Sequence, residues 1–553
     1  MTSDPRAFFA LDLGAATTSA ALVGRVDGRW RLLGSTAFPA AIPVESIIRH
    51  LADGILAADP ALAWAIDVAA LGPVTTWPRL AARSAPPATV AVLASSEEMR
   101  VRLASAAAHA GWRVTSASLE RDDPLGLMGI ALDRRTTTVL AGSADPPAGA
   151  DRQRATTLAA LVDAIAERRP ELTVVVAGSL GVAALPRTDG APGPAVAERL
   201  YAPISASARA GTAPGPLDGE DGDPLRAFLE RLRARPGDAA AGIARATASL
   251  ATVLGRRVET VAIGLESGSR VYARPPVPAE GDEPTAPIVR ATLVPDAGLV
   301  PEVLDDSYVD GVLAWSTVSL DRIRLRDRLR ELRRFPWGDA DGDGAALRLA
   351  VARAALVRLV YGTLDYERLA PPDLLVATGG VFCSAPGPAI ALALADTLRR
   401  PGACSLAIDH ARLLAPLGSI PNEGERRRLI ADLADDLLAP LGSVVSPQGL
   451  HAGRSAGRLT VHAGTGSSAL DLVPGGLQLV DLPPGQVATA EFEFRDLVRL
   501  GTRGRHFSVE VGGGLGGLLV DLRDVPLRLP DRIEHRRELL AAWQNALWVT
   551  VDS

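Results

Sequence analysis

The 553-residue chain contains no lysine: all 58 of its basic residues are arginine. Schiff-base catalysis by a lysine amine is therefore excluded. A Walker A loop is excluded as well, because the residue that reaches the phosphates there is lysine. Cys383 and Cys404 are the only cysteines, too few for a disulfide framework or a cysteine-rich zinc site. The seven histidines show neither HExxH nor any paired ligand spacing, so zinc is not expected. No run of about 18 apolar residues occurs, so no transmembrane helix is expected. The opening MTSDPRAFFALDLG has no basic region before a long apolar core, so no secretory signal is predicted and cytoplasmic residence is the expectation. Net charge is −6 and no basic tail or stripe stands out, which argues against nucleic acid as the main ligand. No G-x-S-x-G elbow is present, so a hydrolase triad is not expected.

What is present is a large apolar fraction, 47%, ample for extensive cores. A prior of roughly 150 residues per domain suggests about three to four domains. The start reads as a strand meander: Phe8–Leu11, Ala20–Val26, then Arg29–Leu33 after Asp27-Gly28, a type I′ hairpin signal. Helices and strands then alternate. Ser46–Ala58, Glu97–Ala110, Arg154–Arg168, Ala239–Leu254, Leu320–Leu332, Ala345–Leu359 and Glu423–Leu438 read as helices. Ala88–Ala94, Thr136–Ala141, Leu172–Ala177, Val258–Ile263, Leu374–Ala377 and Ala403–Ile408 read as strands. This alternation predicts an α/β architecture. Residues 186–224 and 274–287 are dense in Pro, Gly and acid and read as linkers. From about residue 457 short strands recur between glycine turns, and Arg532–Trp548 is an amphipathic helix, predicting a small C-terminal β domain with a terminal helix.

Two motifs carry candidate chemistry. In FFALDLGAATTSAALVG, Asp12 ends a strand and could hold a magnesium ion through water. Gly14, Ala15 and Ala16 leave room for a phosphate, and Thr17 and Thr18 supply hydroxyls. The ordinary alternative is a hairpin in which Asp12 makes an Asx-turn. In PDLLVATGGVFCSAPGPAIALALADTLRR, a strand runs into Thr378-Gly379-Gly380 and a helix follows. Glycines there let a flat ring or a phosphate lie against bare backbone; the alternative is a tight strand-to-helix turn.

DLGAATTSAALVG resembles the first phosphate motif of the acetate/sugar kinase–Hsp70–actin superfamily, and LLVATGGVF resembles its adenosine motif. With SAPGPAIALALADTLRRPGACSLAIDHARLLAPLGSI and VGGGLGGLLVDLRDVPLRLP, the chain resembles the glutamate mutase accessory family (MutL- or GlmL-like, unrelated to the mismatch-repair protein). The resemblance implies two actin-like, RNase H-like lobes around a nucleotide cleft: lobe I over 1–185, a linker over 186–237, lobe II over 238–456 and the β domain over 457–553. It implies ATP and Mg2+ as cofactors and a cobalamin-dependent mutase subunit or related enzyme as partner.

The second phosphate motif departs from that pattern. After the strand VETVAI, Gly264 stands where an Asp is expected and Glu266 where a Gly is expected; Ser267, Gly268 and Ser269 fit. Glu266 would repel phosphate unless a cation intervenes. Asp296 and Gly298 form a later Asp-x-Gly, with Asp296 a second metal candidate. Three functions remain open: an accessory or reactivating ATPase, a pseudo-ATPase scaffold or interaction protein with a degenerate second motif, and a small-molecule kinase on the same fold. DADGDG (Asp339, Asp341, Asp343, Gly344) resembles the start of an EF-hand loop, but Ala350 stands where the bidentate Glu belongs, so a solvated acidic turn is expected. Gly512–Gly517 reads as a turn or bulge. Cys383 reads as a buried filler, His410 as structural and Arg426–Arg428 as a solvated helix face.

Overall fold

The computed structural model describes residues 6–69, 79–144, 149–178, 180, 199–202, 224–235, 237–276, 287–336, 338, 342–451, 455–464, 466–523 and 527–547. Most of both linkers, and Asp339 and Asp341, lie outside the described residues. The contacts divide the chain into two compact units: 1–85, 237–291 and 296–553 in the first, 86–236 and 292–295 in the second.

In the first unit, β1 (Ala7–Leu13), β2 (Thr17–Val26), β3 (Arg29–Pro39) and β4 (Arg79–Arg83) form a sheet in the order β3-β2-β1-β4. β1 runs antiparallel to β2 and parallel to β4. Asp27 and Gly28 both have positive φ (51° and 82°), as a type I′ hairpin requires.

The second unit contains β5 (Thr89–Ala94), β6 (Arg113–Ser118), β7 (Thr136–Ser143), β8 (Thr173–Gly178) and β9 (Arg199–Ala202), all parallel, in the order β6-β5-β7-β8-β9. Alternate residues serve opposite faces. Ala91, Leu93, Val139 and Val174 enter one core with Leu158 and Ile165. Val90, Val92, Leu140 and Val175 enter another with Leu103 and Leu229. A parallel sheet covered on both faces explains why these strands read as continuous apolar runs, and the strand order is that of a doubly wound fold. The contacts group this sheet with the rest of residues 86–236 and 292–295.

The chain returns to the first unit with the helix Ala239–Leu254 and repeats the opening meander as β10 (Val258–Ile263), β11 (Gly268–Arg274) and β12 (Ile288–Val294). β13 (Leu374–Thr378) pairs in parallel with β10, and β14 (Gly402–Ile408) with β13. β15 is Ala439–Ser446, followed by β16 (Gly457–Ala463), β17 (Gly466–Leu472), β18 (Leu477–Val480), β19 (Val487–Leu500), β20 (Thr502–Gly512) and β21 (Leu518–Asp521). The large sheet has the order β12-β11-β10-β13-β14-β15-β21-β18. The two meanders, each with its first strand paired in parallel to a later one, form the duplicated arrangement expected of an actin-like fold. Residues of both sheets share one core: Phe8, Ala10, Ala21 and Val23 with Leu250, Val376, Ala407 and Leu413.

The strands after residue 457 serve two sheets. β17-β16-β19-β20 form their own sheet, whereas β18 and β21 extend the large one. The terminal helix spans Ile533–Asn545. Among the described residues no helix is long and apolar enough to cross a membrane. Arg426 departs from the expected solvated face: it is 6% exposed and donates to Ser249 Oγ and the Ile420 carbonyl. Satisfied donors and an apolar stem make such burial tolerable.

The helix Ala239–Leu254 crosses the short helix Leu414–Leu417 through bare backbone. A Cβ on Gly418 would overlap the carbonyl of Gly242. Gly418→Ala is therefore expected to cost about 1–3 kcal/mol by overpacking, read as a lower urea midpoint at unchanged m. Gly54→Ala is the control. Its Cβ would meet nothing within 4 Å inside the helix Val44–Ala58, so it should stabilise by about 0.5–1 kcal/mol.

Candidate phosphate and nucleoside site

β1 delivers Asp12, 8% exposed, to the sheet edge, in register with Ser19 of β2. The connecting turn closes through Gly14 N–H donating to the Thr17 carbonyl at 3.1 Å. A Cβ on Gly14 would lie 2.6 Å from that oxygen, so the turn requires glycine. Ala15 is exposed at its tip and Thr18 is buried against the sheet.

The second hairpin repeats this geometry 250 positions later. Gly264 N–H donates to the Ser267 carbonyl at 2.9 Å, and Ala262 pairs with Ser269 as Asp12 pairs with Ser19. Hydrogen bonding thus matches Gly264 to Gly14 and Ala262 to Asp12. This corrects the expectation that Gly264 replaces the aspartate and Glu266 the glycine: the glycine is kept, and the missing carboxylate is at Ala262. Glu266 points its charge elsewhere, into an ion pair with Arg333 of the helix Arg322–Arg334. Gly298 packs directly on the backbone of Glu266 and Ser267, and Leu299 N–H donates to the Gly264 carbonyl at 2.8 Å. Residues 296–300 therefore buttress the second turn. The Asp296 side chain is exposed, while its carbonyl accepts from Arg358 Nε at 2.8 Å. Gly268 packs on the Ala297 carbonyl, where a Cβ would stand 2.8 Å away.

The Thr378-Gly379-Gly380 turn lies against both hairpins. Gly379 has φ 106°. Its Cβ would be 2.5 Å from the Ile263 carbonyl, and a Cβ on Gly380 would be 2.7 Å from Thr17 Oγ1. These glycines are needed first for close backbone approach. Thr378 points inward, its hydroxyl donating to Asp409 Oδ2 at 2.9 Å.

Two residues that the sequence left unassigned hold this centre together. Asp409, fully buried, follows β14 and accepts the Leu413 and Leu414 N–H groups at 2.8 and 3.1 Å. Arg412, 4% exposed, places Nε 2.6 Å and Nη2 2.5 Å from Asp12 Oδ2, Nη1 2.6 Å from Thr17 Oγ1 and Nη2 3.1 Å from the Thr17 carbonyl. The only available signal was Asp-x-x-Arg immediately after a buried strand. Burial pushes the Asp409 carboxyl up from 3.8 to about 6, against the pull of the Leu414 and Leu413 N–H groups and the Thr378 hydroxyl. Burial likewise pushes the Cys383 thiol up to about 12, which suits a packed filler rather than a nucleophile.

A cavity of about 260 Å³ begins one residue beyond Gly380. Val381, Phe382, Leu349, Ala389 and Leu547 line it, with Arg348 as its charged member; Arg348 Nη2 donates to Ser384 Oγ at 3.1 Å. Among the described residues no group of three or more His, Cys, Asp or Glu could hold a metal ion.

No family and no curated protein matches the chain. Among solved structures, an exopolyphosphatase from Cytophaga hutchinsonii shares 10% identity over 68% of this chain and 67% of its own, at a TM-score of 0.17. The Aquifex aeolicus PPX-GPPA enzyme shares 8% over 78% and 90%, at 0.19. Leishmania braziliensis glucokinase shares 9% over 75% and 93%, at 0.22. Overlaps this loose carry no argument about ligand or reaction.

The Asp409 environment sets a pH dependence. Between about pH 4 and pH 6 the folded chain keeps a proton that the unfolded chain has released, so stability falls as pH rises through that window. A rise of the carboxyl from 3.8 to about 6 corresponds to at most roughly 3 kcal/mol. Denaturant titrations from about pH 4 to pH 7 should show wild type losing stability relative to Asp409→Asn. Parallel profiles would contradict the assignment.

Proposed function

We propose that this chain binds a nucleotide: its phosphates at the turn formed by Gly14, Ala15 and Thr17 with Gly380, its base in the adjoining apolar cavity. The observation that carries this reading is continuity. Gly380 touches Thr17 on one side and opens the four-residue helix Gly380–Cys383, whose next residues line the cavity. A concave, mostly apolar space with one cation, joined to a glycine-rich turn, has the make-up of a nucleoside phosphate site. ATP is the nucleotide implied by the family resemblance, and Ser267, Gly268 and Ser269 contribute the second turn. Binding then serves a protein partner, a subunit of a cobalamin-dependent mutase or a related enzyme, whose assistance depends on the nucleotide state.

A non-hydrolysing scaffold is the second reading. Ala262 supports it, since the second hairpin offers no carboxylate at the position equivalent to Asp12. Phosphoryl transfer rests on positioning and charge neutralisation, so turnover suffers more than binding. The kinase reading has less support, because Asp12 is engaged by Arg412 and Asp409 by Thr378 and backbone N–H groups.

Thermal-shift titrations of the full chain with ATP, ADP and inorganic pyrophosphate test the site. ATP at about 100 times its dissociation constant should add roughly 2.7 kcal/mol. Ala389→Trp, which fills the cavity, should abolish the advantage of ATP over pyrophosphate. No shift with any nucleotide on folded wild type would overturn the reading. The partner half is tested by nucleotide-dependent co-purification with mutase subunits, and repeated failure to recover any would remove it.

A further inference from the structure

Asp12 is the carboxylate that the resemblance implies for magnesium, so its surroundings decide whether a divalent ion fits. Magnesium needs oxygen ligands in near-octahedral array and is usually held by one or two carboxylates with substrate phosphates. Oδ2 of Asp12 already lies 2.6 Å from Nε and 2.5 Å from Nη2 of Arg412. An ion held by that carboxylate, directly or through one water, would stand within a few ångströms of a guanidinium that never loses its charge. The second hairpin supplies no compensating carboxylate, because Ala262 occupies the equivalent position. The donor set therefore does not fit a divalent cation at Asp12.

Three further observations concern Arg412. Its φ is 57°, a left-handed conformation that is unfavourable for any residue but glycine. Strain of this kind persists only where the surroundings over-determine it, and it clusters at ligand clamps. Here the fixing contacts are the Asp12 carboxylate and the Thr17 hydroxyl and carbonyl, all belonging to the first phosphate hairpin. Gly14 keeps clear of the guanidinium, since a Cβ there would lie 3.1 Å from Nη2, and Gly380 borders it, its Cβ position being 3.7 Å from Nη1.

We infer that Arg412 is the resident cation of the phosphate site, doing without metal what a bound magnesium ion does elsewhere, so that the site takes its phosphorylated ligand independently of divalent cations. The inference rests on the nucleotide reading above. Asp12 acts as counter-ion and positioner of the guanidinium, and Thr17 fixes its plane. The ligand approaches Nη1, the nitrogen nearest the bare Gly380 backbone. A guanidinium suits this role because it never loses its charge, and Nη1 carries a second N–H beyond the one given to Thr17 Oγ1. In a chain without lysine, arginine is the only side chain with a permanent charge available for it.

The test is isothermal titration of the full chain with ATP in EDTA and again in excess magnesium. The expected result is two dissociation constants within about tenfold of each other, a difference of at most about 1.4 kcal/mol. Affinity that is more than about tenfold tighter with magnesium overturns the inference while leaving the nucleotide reading standing. No binding in either buffer removes the nucleotide reading, and this inference falls with it. Arg412→Gln, checked for folding by circular dichroism, should weaken binding in EDTA more than about tenfold; unchanged affinity would overturn the proposal. Should that variant fail to fold, the wild-type comparison decides alone.

Discussion

The ion pair between Arg412 and Asp12 joins residues 400 positions apart and fixes the geometry of the whole centre. It ties the turn after β14 to the hairpin β1–β2, and the Thr378–Gly380 turn sits beside it. Around it each contact serves the next: Asp409 caps the residues after Arg412 and accepts the Thr378 hydroxyl, and Ser19 Oγ donates to the Ala411 carbonyl at 3.2 Å. Leaving either partner alone would strand a charge that is nearly excluded from water, a cost of several kcal/mol. The pair is therefore a structural commitment as well as a candidate binding device.

The same chemistry recurs at other buried charges of this lysine-free chain. Arg270, fully buried, pairs with Glu259 at 2.6 Å and donates to Thr363. Arg523 bridges Asp521 and Asp396, with Trp543 of the terminal helix over its guanidinium at 4.5 Å. Planar guanidinium groups tolerate such sites because they are weakly hydrated and meet carboxylates with a rigid fork. The terminal helix is thus tied to the core of the first unit, where Leu547 also lines the cavity beside Gly380.

Much of the fold was legible. Phe8–Leu11, Asp27-Gly28 and Leu374–Ala377 announced strands and a turn because local patterning and turn chemistry are short-range. The need for glycine in the turns was legible for the same reason: only small residues permit the approaches at Gly14, Gly379 and Gly380. Sheet membership was not. Val90–Ala94 and Val174–Ala177 look alike in any buried parallel sheet, so nothing local says which sheet a strand joins. Arg412 was hidden among 58 arginines, since its partner lies at the other end of the chain. The frame of the second hairpin was misread by two residues because hydrogen-bond register, not spelling, matches Gly264 to Gly14.

A double-mutant cycle on the stability of Asp12→Asn, Arg412→Gln and the combined variant addresses the central interaction directly. The account predicts that each single change costs about 3 kcal/mol and that the combination costs less than the sum, with coupling of at least about 1 kcal/mol. Additivity within about 0.5 kcal/mol would mean that the two side chains do not depend on one another, contradicting the organisation of the site described here.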